Sequence, residues 1–216
     1  MLLRRLQNLL GGIYDVRTGH DIYDFLVTDR SCLPREVRSH GADEQLLVAQ
    51  DANECAVSLY IDPDVLTRLQ VADPLRALHS GNVADFWTVL EGVSHFQYLA
   101  WNARHDRQVS LHELELQAEI DKYVSSFWML RRQQPGRFPA ELARILFGHT
   151  RIDPALAGDR APLYRAANRQ AERFCRDLEH NLRRGPDGRG GGAILASLRR
   201  FYRLSDARKL AHIERL

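Results

Sequence analysis

The spacing of hydrophobic residues changes near residue 62, from the two-residue repeat of strands to the 3.6-residue repeat of helices. Before that point, apolar runs at 45–49 and 55–61 flank the polar residues 51–54, which predicts a β-hairpin. The second run alternates apolar side chains onto one face, which we expect to be buried: Cys55, Val57, Leu59 and Ile61. Residues 21–28 are rich in aromatic and β-branched side chains and predict a further strand, and 29–43 predict a loop.

Helical signals surround this region. Leucines at positions 2, 3, 6, 9 and 10 indicate an amphipathic helix that ends at Gly11-Gly12. Asp-Pro pairs at 62–63 and 73–74 each join a helix cap to a proline at the first helical position. The strongest local signal is the capping box Ser110-Leu111-His112-Glu113, which begins a helix that ends at Pro135-Gly136. The other predicted helices cover about 83–103, capped by Asn82, then about 139–147, about 160–183, and the chain from 193.

These elements predict a helix-dominated α+β fold. A small N-terminal antiparallel sheet of about three strands, including the hairpin at 45–61, would pack on a C-terminal helical bundle. We expect an N-terminal subdomain at 1–62, a helical bundle at 63–184, a glycine-rich linker at 185–192 and a basic C-terminal helix or helices at 193–216. The 216 residues suit one compact domain overall.

Composition excludes several classes of protein. No apolar run reaches the length of a membrane span, and the first ten residues lack a signal-peptide pattern. The three cysteines, Cys32, Cys55 and Cys175, have no zinc-type spacing, so we expect reduced thiols in a cytoplasmic protein. The chain contains no phosphate-binding loop and no nucleophile elbow, which leaves phosphoryl transfer and serine hydrolysis without support.

Charge is unevenly distributed along the chain. Residues 1–107 carry 10 basic and 15 acidic side chains, whereas residues 108–216 carry 20 and 13. We favour neutralisation within the molecule, with the acidic half facing the basic half, over a charged partner. Only two of the 30 basic residues are lysine, Lys122 and Lys209, a bias that we attribute to a GC-rich bacterial genome.

One helix combines an apolar surface with a narrow polar strip. Around the helix at 83–103, apolar side chains cover about two-thirds of the circumference, and the strip holds Glu91 and His95, spaced i,i+4. The next helix presents Glu115 and Glu119 on one face with Lys122. Carboxylates and imidazole are the ligands of first-row metals and the groups of proton transfer. One hypothesis is therefore a divalent-metal site formed by Glu91, His95, Glu115 and Glu119.

A simpler interpretation is favoured for the same residues. Glu91 and His95 would form an exposed strip or a paired core cluster, and Glu115, Glu119 and Lys122 a solvated face with an i,i+3 ion pair. The Glu-x-x-His spacing of carboxylate-bridged metal bundles is absent. No cofactor is predicted under this interpretation. Glu113 is excluded from any site because the capping box accounts for it.

The C-terminal segment interleaves arginine with aromatic residues, namely Arg199, Arg200, Phe201, Tyr202 and Arg203. Such a pattern stacks on nucleic acid, but it also forms an amphipathic helix that docks its apolar side and leaves the arginines in water. We favour docking because no nucleic-acid-binding signature accompanies the segment.

The leading hypothesis is a non-catalytic bacterial accessory or regulatory protein that binds a protein partner or forms a homo-oligomer, with no membrane partner. A metal-dependent enzyme with a Glu/His site between two core helices is the alternative. Nucleic-acid binding through the arginine-rich segment is a second alternative.

Overall fold

A computed structural model describes residues 1–38, 41–50, 55–148, 160–184 and 191–216. The helices are α1 (Leu2–Tyr14), α2 (Arg35–Arg38), α3 (Pro63–Val71), α4 (Val83–Ala103), α5 (Leu111–Gln133), α6 (Leu142–Gly148), α7 (Ala161–Arg184), α8 (Gly191–Tyr202) and α9 (Asp206–Ile213). The strands are β1 (Leu26–Val27), β2 (Glu44–Gln50) and β3 (Cys55–Ile61). The helix-dominated α+β class is confirmed, whereas the predicted hairpin turn at 51–54 and linker residues 185–190 lie outside the described residues.

The small sheet has the strand order β1-β3-β2. The hairpin is confirmed, with β2 antiparallel to β3 and Leu46 opposite Leu59. The expectation of a wholly antiparallel sheet is wrong, because β1 runs parallel to β3. Most of the predicted strand at 21–28 is also absent, since the Asp21 carboxylate accepts the Tyr23 N–H and starts a 3-10 turn. Only Leu26 and Val27 remain to pair, at the edge of the sheet.

Helix α1 continues through the glycine pair at which we expected it to end. It stops at Tyr14, where Asp15 adopts a left-handed conformation with φ 54° and donates its N–H to the Gly11 carbonyl. Glycine costs a helix only about 1 kcal/mol relative to alanine. The buried stripe of α1 offsets that cost, and its members are Leu3, Leu6, Leu10, Ile13 and Tyr14.

Polar caps define where the later helices begin. The Asp62 carboxylate accepts the Asp64 N–H at the start of α3, and the Ser110–Glu113 capping box at the start of α5 is confirmed. The second Asp-Pro pair begins a turn and no helix, because the Asn82 amide donates to the carbonyls of Ala72 and Ala77 and holds the segment folded back.

Helix α4 lies at the centre of the core. It contacts α1, α3 and the sheet, and it packs along α5, which in turn packs along α7. Both α4 and α5 are therefore covered on more than one side, so their polar side chains are enclosed together with their apolar ones. No helix in the described part of the chain is long and apolar enough to cross a membrane.

Candidate metal centre

The polar face of α5 is buried. Glu115, Glu119 and Lys122 are only 9%, 9% and 8% exposed. The interpretation of these residues as a solvated face is therefore wrong, although the i,i+3 ion pair between Glu119 and Lys122 is present. The reason is tertiary: side chains of α4 lie against this face, with His95 beside Glu115 and Glu91 beside Lys122, and the spacing within α5 alone does not reveal that cover.

Three elements bring six ionisable side chains together, a group that we call the Glu/His cluster. Its members are Glu44 on β2, Glu91 and His95 on α4, and Glu115, Glu119 and Lys122 on α5. His95 is at the centre, with Nδ1 3.7 Å from Glu44 Oε1 and Nε2 3.7 Å from Glu115 Oε1. All four predicted metal-site residues therefore lie in one cluster, and Glu44 is an addition that sequence reasoning missed.

Gly92 allows Glu44 to approach α4. A Cβ atom at this position would lie 2.8 Å from both Glu44 Cγ and Leu59 Cδ1, closer than side chains tolerate. Glu44 is the first residue of β2 and is separated from α4 by the rest of the hairpin and by α3. No helical or strand repeat in the sequence relates Glu44 to Glu91. The only local sign is the glycine within an otherwise apolar helix, which marks a close approach.

Lys122 compensates two of the carboxylates. Its Nζ donates to Glu91 Oε2 at 2.9 Å and to Glu119 Oε1 at 2.7 Å. Burial opposes ionisation of Lys122 and Glu91, but the attraction between opposite charges outweighs burial, raising the pKa of Lys122 and lowering the pKa of Glu91.

His95 carries a perturbed imidazole. Burial by itself would lower the pKa of His95, but the carboxylates of Glu115, Glu44 and Glu91 outweigh burial and raise it to about 9. Burial also raises the pKa of Glu44. The carboxylates around the imidazole therefore favour positive charge at this point.

Several polar atoms of the cluster have no hydrogen-bond partner among the residues that the structure describes. They are Glu44 Oε1, His95 Nε2 and Glu119 Oε2. The His95 side chain is only 7% exposed, so water does not readily solvate its free nitrogen. An unsatisfied buried polar group costs about 1–3 kcal/mol, and such groups indicate strain, catalysis or an ion that completes the site.

Three members of the cluster could hold a metal ion. Glu44, Glu91 and His95 each offer one ligand atom, and the three atoms lie within 4.8 Å of one another. Bonds of about 2.0–2.2 Å in a tetrahedral arrangement place ligand atoms about 3.3–3.6 Å apart, so the side chains would have to move together by up to about 1 Å. Glu91 is 29% exposed and gives the cluster its contact with solvent.

A second buried polar group, the Lys209 network, joins α9 to α4 and α5. Lys209 is fully buried, and its Nζ donates to Tyr98 Oη at 3.0 Å and Gln117 Oε1 at 2.9 Å. Each acceptor leads to a carboxylate, because Tyr98 donates to Glu113 and Gln117 donates to Asp121. The remaining members, Tyr14 and Ser94, also donate to Asp121. Burial lowers the pKa of Lys209 to about 7 and raises that of Asp121 to about 6.

The arginine-rich segment forms part of α8 and docks on the core. Phe201 and Tyr202 are buried as expected, and Arg200 is exposed. The expectation that the arginines only face water is wrong for two of them. Arg199 donates to the carbonyls of Gly12 and Ile13, and Arg203 donates to those of Tyr14 and Asp15. These guanidinium groups therefore cap the carboxyl end of α1, where cations are favoured.

No protein-family model matches the chain, and neither the curated proteins nor the solved structures searched include a significant match. Function must therefore be argued from the geometry of the cluster.

Proposed function

We propose that this protein binds a divalent first-row transition-metal ion through Glu44, Glu91 and His95. The observation that carries the proposal is the enclosed imidazole of His95, which has carboxylates on both sides. On its Nδ1 side lies Glu44 Oε1, which has no hydrogen-bond partner among the described residues. Two carboxylates and one imidazole suit ions such as Mn²⁺, Fe²⁺ and Zn²⁺.

We assign the ion to the Nδ1 side of His95. The two ring nitrogens point in different directions, and Nδ1 faces Glu44 whereas Nε2 faces Glu115. The Nδ1 side is preferred because Glu44 and Glu91 offer oxygens close to the imidazole. Glu115 would then accept the Nε2–H and orient the ring, as carboxylates commonly do for metal-bound histidines.

The ligand set supports a catalytic ion over a purely structural one. Three protein ligands leave coordination positions open, which structural sites usually close. Such an ion would act as a Lewis acid or activate water. The chain's own contribution would be to exclude solvent and balance charge through Lys122. The proposed setting is a reducing compartment such as the bacterial cytoplasm, where free thiols like those of Cys32 and Cys175 persist.

Metal titration tests the proposal directly. Tag-free protein, stripped with a chelator, is titrated with Zn²⁺, Mn²⁺ or anaerobic Fe²⁺ and followed by calorimetry and elemental analysis. We expect about one ion per chain. His95→Gln and Glu44→Gln should each weaken binding at least about 10-fold, because each removes a ligand.

The matched control is His79→Gln, which changes an exposed histidine outside the cluster. It should bind metal as the wild type does. If none of the three ions binds in stoichiometric amount, or if His95→Gln binds as tightly as His79→Gln, the proposal is wrong.

A further inference from the structure

The Glu/His cluster contains more carboxylates than the proposed ion needs. Glu44 and Glu91 serve as ligands, and Glu115 faces the other nitrogen of His95. Glu119 remains, with one oxygen bound to Lys122 and the other without a partner. Burying a carboxylate that binds no ion is costly unless a cation lies beside it, and Lys122 is the cation beside Glu119.

Lys122 has the position that a second metal ion would have. In dinuclear carboxylate centres, a bridging carboxylate is shared between two cations. Glu91 is shared in the same manner between the proposed ion site and Lys122 Nζ, 2.9 Å from Glu91 Oε2 and 2.7 Å from Glu119 Oε1. Metal–oxygen bonds are about 2.0–2.2 Å long, so a metal in this place would draw each carboxylate inward by only about 0.7 Å.

We propose that the ammonium group of Lys122 permanently occupies the second cation position of a two-cation centre and thereby restricts the site to one divalent ion. The inference rests on the proposed function, because it requires an ion at Glu44, Glu91 and His95. The independent sign that the acidic cluster is a ligand site is Glu44 Oε1, which lies beside His95 Nδ1 on a side chain that is nine-tenths buried and has no hydrogen-bond partner among the described residues. An ammonium group carries no open coordination position, so the chemistry is confined to a single ion.

Removal of the ammonium group should create the second site. Lys122→Met and Lys122→Arg are titrated with Mn²⁺ beside the wild type, and stoichiometry is measured by calorimetry and elemental analysis. We expect one equivalent for the wild type and for Lys122→Arg, which keeps the positive charge. Lys122→Met should bind two equivalents and give the electron paramagnetic resonance signal of an exchange-coupled manganese pair.

The outcomes separate this inference from the proposed function. One equivalent in both the wild type and a folded Lys122→Met overturns the inference and leaves the proposed function in place. Binding of two equivalents by the wild type would also overturn the inference and leave the proposed function in place. If the wild type binds none of Mn²⁺, Zn²⁺ and Fe²⁺, both the inference and the proposed function are wrong.

A second variant covers the case in which Lys122→Met does not fold. Glu119→Gln removes a carboxylate that, by this inference, serves Lys122 and not the metal. It should keep one equivalent of Mn²⁺ with an affinity within about threefold of the wild type. Loss of the ion in Glu119→Gln would make Glu119 a ligand and would overturn the inference.

Discussion

The ammonium group of Lys209 is a buried charge without a direct ion pair to any carboxylate of the described residues. Lys209 donates hydrogen bonds to the Tyr98 phenol and the Gln117 amide, and the centre of the Tyr98 ring lies 4.3 Å from its Nζ. These contacts replace only part of the stabilisation that water would give the charge. Glu113 and Asp121 act on it through one intervening side chain each. Lys209 therefore makes a strong and testable contribution to the pH dependence of stability.

Lys209→Met should change how the free energy of unfolding varies with pH. The pKa of Lys209 falls from an ordinary value of 10.5 to about 7 in the folded protein. Between these values the unfolded chain holds a proton that the folded chain has released, so rising pH favours the folded wild type. We expect the stability of the wild type relative to Lys209→Met to rise between pH 7 and 9, by at most about 1.4 kcal/mol per pH unit. Urea denaturation at several pH values measures this difference.

His95 changes the pH dependence of stability in the opposite direction, so the effect of Lys209 is measured as the difference between the wild type and Lys209→Met. The pKa of His95 is raised to about 9, so its contribution to stability declines as pH rises through that value. Arg208→Met, on the exposed face of the same helix as Lys209, is the control and should show a difference that does not vary with pH. A pH-independent difference for Lys209→Met would contradict a lowered pKa.

At the scale of elements, the contact between the sheet and α4 depends on one missing side chain. Gly92 lets β2 and β3 lie against the helix, which places the Glu44 carboxylate beside His95. Leu59 is fully buried on β3, so it cannot turn away to make room for a larger residue. The hairpin and the proposed metal ligands on α4 are therefore linked through a single packing constraint.

Gly92→Ala should destabilise the protein by about 1–3 kcal/mol, the usual cost of overpacking a core. It should also weaken metal binding, because the hairpin that carries Glu44 must move. The matched control is Gly12→Ala in α1, where an added Cβ meets nothing within 4 Å. That change should stabilise the protein by about 0.5–1 kcal/mol, since alanine favours helices. Thermal and urea denaturation measure both, and equal stability of the two variants would contradict the packing argument.

At the scale of the whole molecule, the acidic and basic halves do not neutralise each other through a broad set of ion pairs. Among the described residues, surface pairs such as Arg68–Asp85 and Arg176–Glu172 join neighbours within the same half. Pairs between the halves belong to the Glu/His cluster, namely Lys122–Glu91 and His95–Glu115. The basic side chains of α8 instead bind the two halves together by donating to the carbonyl end of α1.

Arg203→Ala should therefore loosen the attachment of α8 to α1. It removes charge-assisted hydrogen bonds to the carbonyls of Tyr14 and Asp15, which we expect to cost about 1–2 kcal/mol. Arg200→Ala, on the exposed side of α8 and three residues before Arg203, should have almost no effect. Urea denaturation measures the loss of stability, and hydrogen exchange at the end of α1 locates it. Equal effects of the two substitutions would contradict a capping role for Arg203.

The sequence by itself determined the elements whose signals are local. The helix at 83–103 and the capping box at Ser110 depend on spacing and side-chain caps within a few residues, and both are confirmed. It also identified Glu91 and His95, because two polar residues stand out on a helix that is otherwise apolar.

Only the tertiary structure decided the environment of those residues. Helix α4 lies against the face of α5 that its own spacing suggested was solvated, and β2 places Glu44, from a distant part of the chain, in the same cluster. The same holds for Gly11-Gly12, where the buried stripe of α1 outweighs a weak local preference. The physical reason is that helix periods and caps are fixed by neighbours along the chain, whereas burial and the pKa values that follow from it depend on which elements meet in space.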